Sequence, residues 1–395
     1  MQHYDAIILG AGAAGLMAAA TAGQRGRRVL VVDHADAPGK KILISGGGRC
    51  NFTNLGTVPD RFLSSNPHFA KSALGRYTPA DFLALVEAHG IAWHEKTLGQ
   101  LFCDGSARQI VDMLLDECDH AARSGGVVDI ALGQPVGSVT HDGTQFRVTH
   151  GGKTATAPRL IVATGGPSIP KMGATSYAYD LARQFGLKVV EPRPALVPLT
   201  LGGEETLFRS LSGVASEVVV RAGKTRFREA ALFTHRGLSG PAILQVSSYW
   251  RHGEAIGIDF LPECAPDWLL ALKRSAPRTS PRRALGQHLP DRLAETLAER
   301  LALPGELGAA TDKALAAAQG RLADWTFHPN GSEGYAKAEV TVGGVSTAGL
   351  SSRTMEAKAV PGLHFVGEAV DVTGWLGGYN FQWAWASGRA AGEAV

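Results

Sequence analysis

The chain has 395 residues, 45% of them hydrophobic and 19% charged, with a formal net charge of +3. That balance excludes a disordered or low-complexity protein, leaves room for two or three cores, and does not by itself mark a nucleic-acid binder. Cys50, Cys103, Cys118 and Cys264 are scattered without a CxxC pair, which points away from metal and disulfides and toward a reducing, cytoplasmic setting. No apolar run reaches the roughly 18 residues needed to span a membrane, and no basic leader precedes the first apolar run, so neither a membrane nor a secretory signal is expected.

Asp5–Leu9 reads as a buried strand that runs into Gly10-Ala11-Gly12-Ala13-Ala14-Gly15 and then a helix. Glycines at this spacing let the backbone approach a pyrophosphate, which rests on the helix N-terminus. Asp33 closes the next apolar run, Val29–Val32, where an acid accepts ribose hydroxyls. Strand, helix and acid come in the right order, so Gly10, Gly12, Ala13, Ala14, Gly15 and Asp33 are expected to hold a dinucleotide. The stretch 39–54 follows, with Lys41, three successive glycines ending at Gly48, then Arg49, Cys50 and Asn51. Glycines alone would suit any flexible loop. Interleaved basic and amide residues suit a diphosphate or a flat ring.

Periodic apolar runs predict helices over 79–89 and 106–123, and alternation with turn residues predicts β-structure over 127–162. Arg159–Ala163 reads as a buried strand ending in Thr164-Gly165-Gly166, where the chain re-enters the cofactor domain; a helix over 176–185 follows. Prolines at 192, 194 and 198 mark a crossing into a second region. Expected boundaries are a first cofactor part at 1–190, a β-rich domain at 191–265, a helical insert at 266–322, a return segment at 323–335 and a closing cofactor part at 336–395. Gly237–Pro241 is expected to open a helix reaching about 249.

The last part decides between cofactors. Residues 363–366 read as a strand ending at Gly367-Glu368, with Asp371 close behind, and Gly377-Gly378-Tyr379-Asn380-Phe381 opens a final helix. A terminal segment that returns to close the site suits FAD better than NAD. Glu368 would accept a ribityl hydroxyl, and the helix N-terminus would face the ring edge where negative charge gathers on reduction.

The stretches 39–54, Phe233–Pro241 and Gly374–Ala384 resemble the BaiN/RdsA family of NAD(P)/FAD-dependent oxidoreductases, and Gly99–Asp104 is similar to its YhiN-like branch. The resemblance runs the length of the chain. It implies an α/β fold: a glutathione-reductase-type Rossmann FAD domain interrupted by a β-rich domain and a small helical insert. It also implies reduction of a conjugated C=C bond, in a bile-acid enone or in a uridine of 23S rRNA to give dihydrouridine; some members are named as aminoacetone oxidases. Asp33 departs from the glutamate frequent in FAD enzymes and is one methylene shorter, which weakens the expected ribose contact.

Such a reduction needs a hydride and a positioned acid. Cys50, among basic residues expected to lower its pKa, is the candidate acid or else a packing residue. Tyr379 either stacks by the ring, donates its hydroxyl or simply packs. His235-Arg236 either recognise an anionic or carbonyl group or form an exposed turn. Lys273, Arg274, Arg278, Arg282, Arg283 and Arg292 stand against Asp291 alone in 273–292; the run is either a solvated face or a holder of RNA phosphates. No second glycine fingerprint is present, so NAD(P)H is expected to dock transiently at the flavin, or another donor is used. A flavoprotein that binds RNA or senses redox state without turnover is the reading from a different class.

Overall fold

The structure is a computed structural model that describes residues 2–395. Two compact units divide the chain. One takes it up to Arg193 together with Val340–Val395; the other is Pro194–Glu339.

The first unit is built on a five-stranded parallel sheet in the order Leu363–Phe365, Arg159–Val162, Ala6–Leu9, Arg28–Val32, Val127–Ala131. Ala6–Leu9 and Val29–Val32 are buried throughout, as strands covered on both faces must be. Leu160 lies opposite Ile7 on one side and Leu363 on the other, so segments from both ends of the chain flank the same strand. The first helix, Ala13–Gly23, and the last, Tyr379–Ala394, pack on each other through small residues. A Cβ on Gly388 would stand 2.4 Å from the Ala14 carbonyl oxygen, and one on Gly392 2.6 Å from that of Ala18. A second sheet joins Gln2–His3 to an antiparallel run of Lys153–Ala157, Phe146–His150 and Val136–His141.

The segment after the glycine loop holds more β-structure than its periodicity suggests. Asn51–Asn54 pairs with Gln100–Cys103, which pairs with Trp93–Glu95. The helix Pro79–Ala88 packs beside them, its start fixed by a reciprocal Thr78–Asp81 cap. Phe82 from this helix stacks on Trp385 of the last helix at 4.4 Å between ring centres.

The second unit is a seven-stranded sheet of antiparallel pairs, centred on the hairpin Ala215–Ala222 and Thr225–Phe233. Its core gathers Phe208, Phe233, Phe260, Trp325 and Phe327. Four helices, Trp268–Ser275, Pro281–Leu285, Asp291–Leu301 and Asp312–Ala323, come between its strands Ile256–Asp259 and Trp325–Phe327. One expectation is corrected here. Gly237–Ser239 is a strand pairing with Leu199–Thr200, and the helix starts at Pro241 and ends at Ser247. Gly237 sits so close to the Leu199 carbonyl (2.4 Å from its would-be Cβ) that pairing overrides the local helix signal.

Candidate functional site

The glycine turn forms where Ala6–Leu9 leaves the sheet. Gly10 has φ +105°, and a Cβ there would lie 2.6 Å from the Ala163 carbonyl oxygen. A Cβ on Gly15 would meet the Gly10 carbonyl oxygen at 1.9 Å, so the helix can approach the strand only with glycine at that position. Gly12 differs. It precedes the first helix with no side-chain cap, and nothing lies within 4 Å of its would-be Cβ. The amides of Ala13 and Ala14 therefore open a helix whose first turn faces free space, the cradle an anionic group needs.

Asp33 serves this turn directly. Its Oδ2 accepts from the Ala11 amide (2.7 Å) and its Oδ1 from the Ala35 amide (2.8 Å). The acid thus rigidifies the turn; Oδ2 keeps a second lone pair for a hydroxyl, while Oδ1 also has His34 Nδ1 3.4 Å away.

A polar cluster joins distant parts of the first unit. Lys41 Nζ donates to Glu368 Oε2 (2.8 Å) and to Ser168 Oγ (2.6 Å). Ser168 Oγ and the Thr341 amide donate to Glu368 Oε1, at 2.6 and 3.0 Å. Gly165, at φ +72°, runs past Glu368, and a Cβ on Gly166 would lie 2.8 Å from Thr341 Oγ1. The hydroxyls of Thr164 and Thr341 are buried with no hydrogen-bond partner among the described residues. Buried polar groups rarely stay unpaired, so both suit a ligand with polar atoms. Ser168 and Thr341 are not marked by the sequence; the only signals near them are glycine doublets, Gly165-Gly166 before Ser168 and Gly343-Gly344 after Thr341.

The third part is the glycine loop and the start of the last helix. Gly46, Gly47 and Gly48 all adopt positive φ, as does Cys50 at +51°. Nothing approaches a would-be Cβ on Gly47, whereas one on Gly46 would strike Phe102. Gly378, at φ +94°, backs onto the Thr53 carbonyl, 2.4 Å from its would-be Cβ, and Asn51 faces Gln100 at 2.9 Å. Thr53 Oγ1 donates to Gln382 (2.6 Å), and the indole of Trp385 donates to the Phe52 carbonyl (2.8 Å). Asn380 closes the preceding loop, accepting from the Gly374 amide and donating to the carbonyls of Gly374 and Trp375. Phe381 stacks on Trp385. Arg61, unnoticed in the sequence, donates to the Tyr379 hydroxyl and lies 5.4 Å from the centre of the Trp375 ring.

Several candidates land elsewhere than expected. Cys50 is 0% exposed, and burial pushes its thiol pKa up, opposite to the lowering expected from basic neighbours. Arg49 is exposed and Lys41 is engaged with Glu368, so neither cation reaches the thiol; Ser45 does. Asp371 is also buried, and it accepts from the amide and hydroxyl of Ser65, with burial raising its pKa.

The expected substrate contacts all fall in the second unit. His235 and Arg236 form an exposed turn, and Arg236 pairs with Glu333 at 3.3 Å. Arg282 pairs with Glu295 at 3.0 Å, and Arg283 is exposed on the same short helix. No hydrogen bond or ion pair joins the two pairs among the described residues. Of the remaining basic run, Lys273 is held by Asp312 and Arg292 by the carbonyls of Ser210 and Ser212.

Sheet order and glycine turn together define a mixed α/β protein with a Rossmann-type FAD-binding domain. The chain belongs to the HI0933-like family, whose Rossmann-domain model matches residues 4–394. It is 53% identical to the ribosomal RNA dihydrouridine synthase of Escherichia coli K12, covering 100% of this chain and 98% of that protein. The Haemophilus influenzae protein of the same name is 45% identical over 100% and 99%. A 3-dehydro-bile acid delta(4,6)-reductase from Clostridium scindens is 28% identical over 98% of each. Among solved structures, a 3-ketosteroid-delta4-(5alpha)-dehydrogenase from Rhodococcus jostii shares the fold, with TM-score 0.51, 13% identity and coverage of 99% and 96%. No helix among the described residues is long and apolar enough to cross a membrane, and no group of three or more His, Cys, Asp or Glu there is placed to hold a metal.

Proposed function

We propose that this chain is an FAD-dependent reductase that saturates the C=C bond of a uridine in 23S rRNA, working in the cytoplasm with NAD(P)H as a transient donor. The observation that carries it is the 53% identity, end to end, with a protein named for that reaction. The site fits the cofactor. Gly12 leaves space above an uncapped helix, Asp33 ends the neighbouring strand, and two buried hydroxyls await partners. FAD, when bound, accepts a hydride from reduced nicotinamide and passes one to an electron-poor carbon.

The chain's own residues bind, orient and donate. Amides at Ala13 and Ala14 would take the diphosphate, and Asp33 would orient a ribose. Lys41 holds Glu368 by an ion pair, which ties early and late parts of the chain together and would place both beside a bound cofactor. The glycine loop and the amides of the last helix would face the ring. For the proton we favour Tyr379 over Cys50, because the fully enclosed thiol has no cation to stabilise its anion. Arg61 donates to the tyrosine oxygen and would stabilise the phenolate left after transfer. Arg278 and Arg283, exposed and without carboxylate partners among the described residues, are the part of the basic run freest to meet RNA; Arg274 is exposed too but its charge also bears on Asp312.

The test maps dihydrouridine by mass spectrometry in 23S rRNA from cells lacking the protein. One uridine should revert to unmodified and be restored by the intact gene. Unchanged modification would sink the reading. Reduction of a steroid enone but not of naked rRNA by the purified protein would favour the small-molecule alternative that the bile-acid relative suggests.

A further inference from the structure

A half-open cavity of about 700 Å³ lies on the first unit, well away from the glycine turn. Arg25, Arg76, Arg353 and Arg389 line it, with Glu393 as its carboxylate. Arg25 follows the C-terminal end of the first helix, whose 11 residues rise about 16 Å from Gly12. Arg389 and Glu393 belong to the last turns of the final helix, and Arg76 ends the helix Lys71–Arg76. The cavity is therefore separate from the cofactor cradle.

Its charge is uneven. Glu393 is held twice, by Arg76 at 3.0 Å and by Arg389 at 2.8 Å. Arg389 also lies over the Tyr77 ring at 5.6 Å, and Arg76 donates to the Arg353 carbonyl. Arg25 and Arg353 are exposed, and neither has a carboxylate partner among the described residues. Three helix C-termini meet here and call for cations of their own, about half a charge each at most. Set against four guanidinium groups, that demand and Glu393 leave about one and a half positive charges over. Guanidinium forks match phosphate oxygens in pairs, and two of these side chains are already steered by Glu393 and the Tyr77 ring.

We propose that this cavity is a phosphate site that holds the backbone of the RNA segment flanking the reduced uridine. The preference for phosphate comes from the arginines; the choice of RNA rests on the rRNA reading above. The site would act as an anchor outside the chemistry, fixing the substrate strand while one base is presented.

The experiment measures binding of a 23S rRNA fragment to the flavin-loaded, full-length chain across about 50–200 mM salt, without turnover. The variant is Arg25→Ala/Arg353→Ala, two exposed side chains whose removal strands no buried charge. Flavin absorbance and the rate of flavin reduction by NADPH serve as controls and should not change. Each lost phosphate contact on a single strand removes about 0.7 from the log–log salt slope, so the double variant should lose about 1.4 and bind at least tenfold more weakly at low salt. Arg25→Lys/Arg353→Lys should keep most of the slope. An unchanged slope and affinity in the double alanine variant overturns the proposal, as does an intact chain that fails to bind the fragment. The outcomes separate from those of the activity. A chain that binds through these arginines yet makes no dihydrouridine defeats the reductase reading and leaves the cavity standing. One that makes dihydrouridine while the double variant binds normally does the reverse.

Discussion

Burial bears differently on two single groups, the proposed proton donor Tyr379 and the strand histidine His364. Tyr379 is 3% exposed and receives a hydrogen bond from Arg61. Removing only its hydroxyl separates packing from proton delivery: Tyr379→Phe should keep flavin and its reduction by NADPH, and slow reduction of the uridine by about 10²-fold or more. Equal rates in both half-reactions, measured by stopped flow, would return Tyr379 to packing. His364 sits in the strand Leu363–Phe365, with Nδ1 against the Thr354 carbonyl at 2.8 Å. Nδ1 must then carry the proton, and Nε2 is buried without a partner among the described residues. Burial lowers the pKa, so the folded form resists a second proton that the unfolded chain accepts near pH 6.5. The unfolded state binds more protons below that pH, and stability should fall on acidification. His364→Asn keeps a donor toward Thr354 and removes the titration. Its melting temperature should drop less than that of the parent between about pH 7.5 and pH 5.5. Parallel drops would show that other groups govern acid stability.

At the scale of elements, glycine contacts decide how close the helices and strands come. Gly388 brings the last helix onto the first, 2.4 Å from its would-be Cβ to the Ala14 carbonyl oxygen. That oxygen belongs to rigid backbone, so Gly388→Val should destabilise by about 1–3 kcal/mol through overpacking and should loosen the uncapped turn at Gly12. Paler protein and a lower melting temperature are expected together. Gly320, inside the helix Asp312–Ala323 with nothing within 4 Å, makes the contrast: Gly320→Ala should stabilise by about 0.5–1 kcal/mol. Legibility divides along the same line. The first glycine turn could be read from spacing because its geometry admits almost no other residues, and the final helix could be read from its glycine doublet. Ser168, Thr341 and Arg61 could not, since their partners lie 200, 27 and 318 positions away. Cys50 misled for a related reason. Neighbours in sequence point in different directions, and Arg49 faces solvent where Cys50 turns inward.

For the whole molecule, the question is which unit carries which half of the reaction. The first unit holds the glycine turn, the Glu368 cluster, Tyr379 and the arginine cavity, all within the chain up to Arg193 and from Val340 onward. Its two broken ends lie close together. The segments Val189–Ala195 and Val340–Val345 pair as strands, and a Cβ on Gly343 would stand 2.4 Å from the Glu191 carbonyl oxygen. Its parallel sheet is complete without the second unit, because all five strands come from outside Pro194–Glu339. A compact unit with its own core can fold alone when its ends can be joined cheaply. Replacing 194–339 by a short glycine-rich linker should therefore give a yellow protein with one cooperative unfolding transition. NADPH should still bleach the flavin anaerobically, since no residue assigned to the cofactor has been removed. Dihydrouridine formation should be lost, since the exposed arginines proposed to meet RNA go with the excised unit. A colourless but folded product would mean that Pro194–Glu339 supplies part of the flavin site. A yellow product that still reduces rRNA would place substrate selection wholly in the first unit, with the arginine cavity as its main anchor.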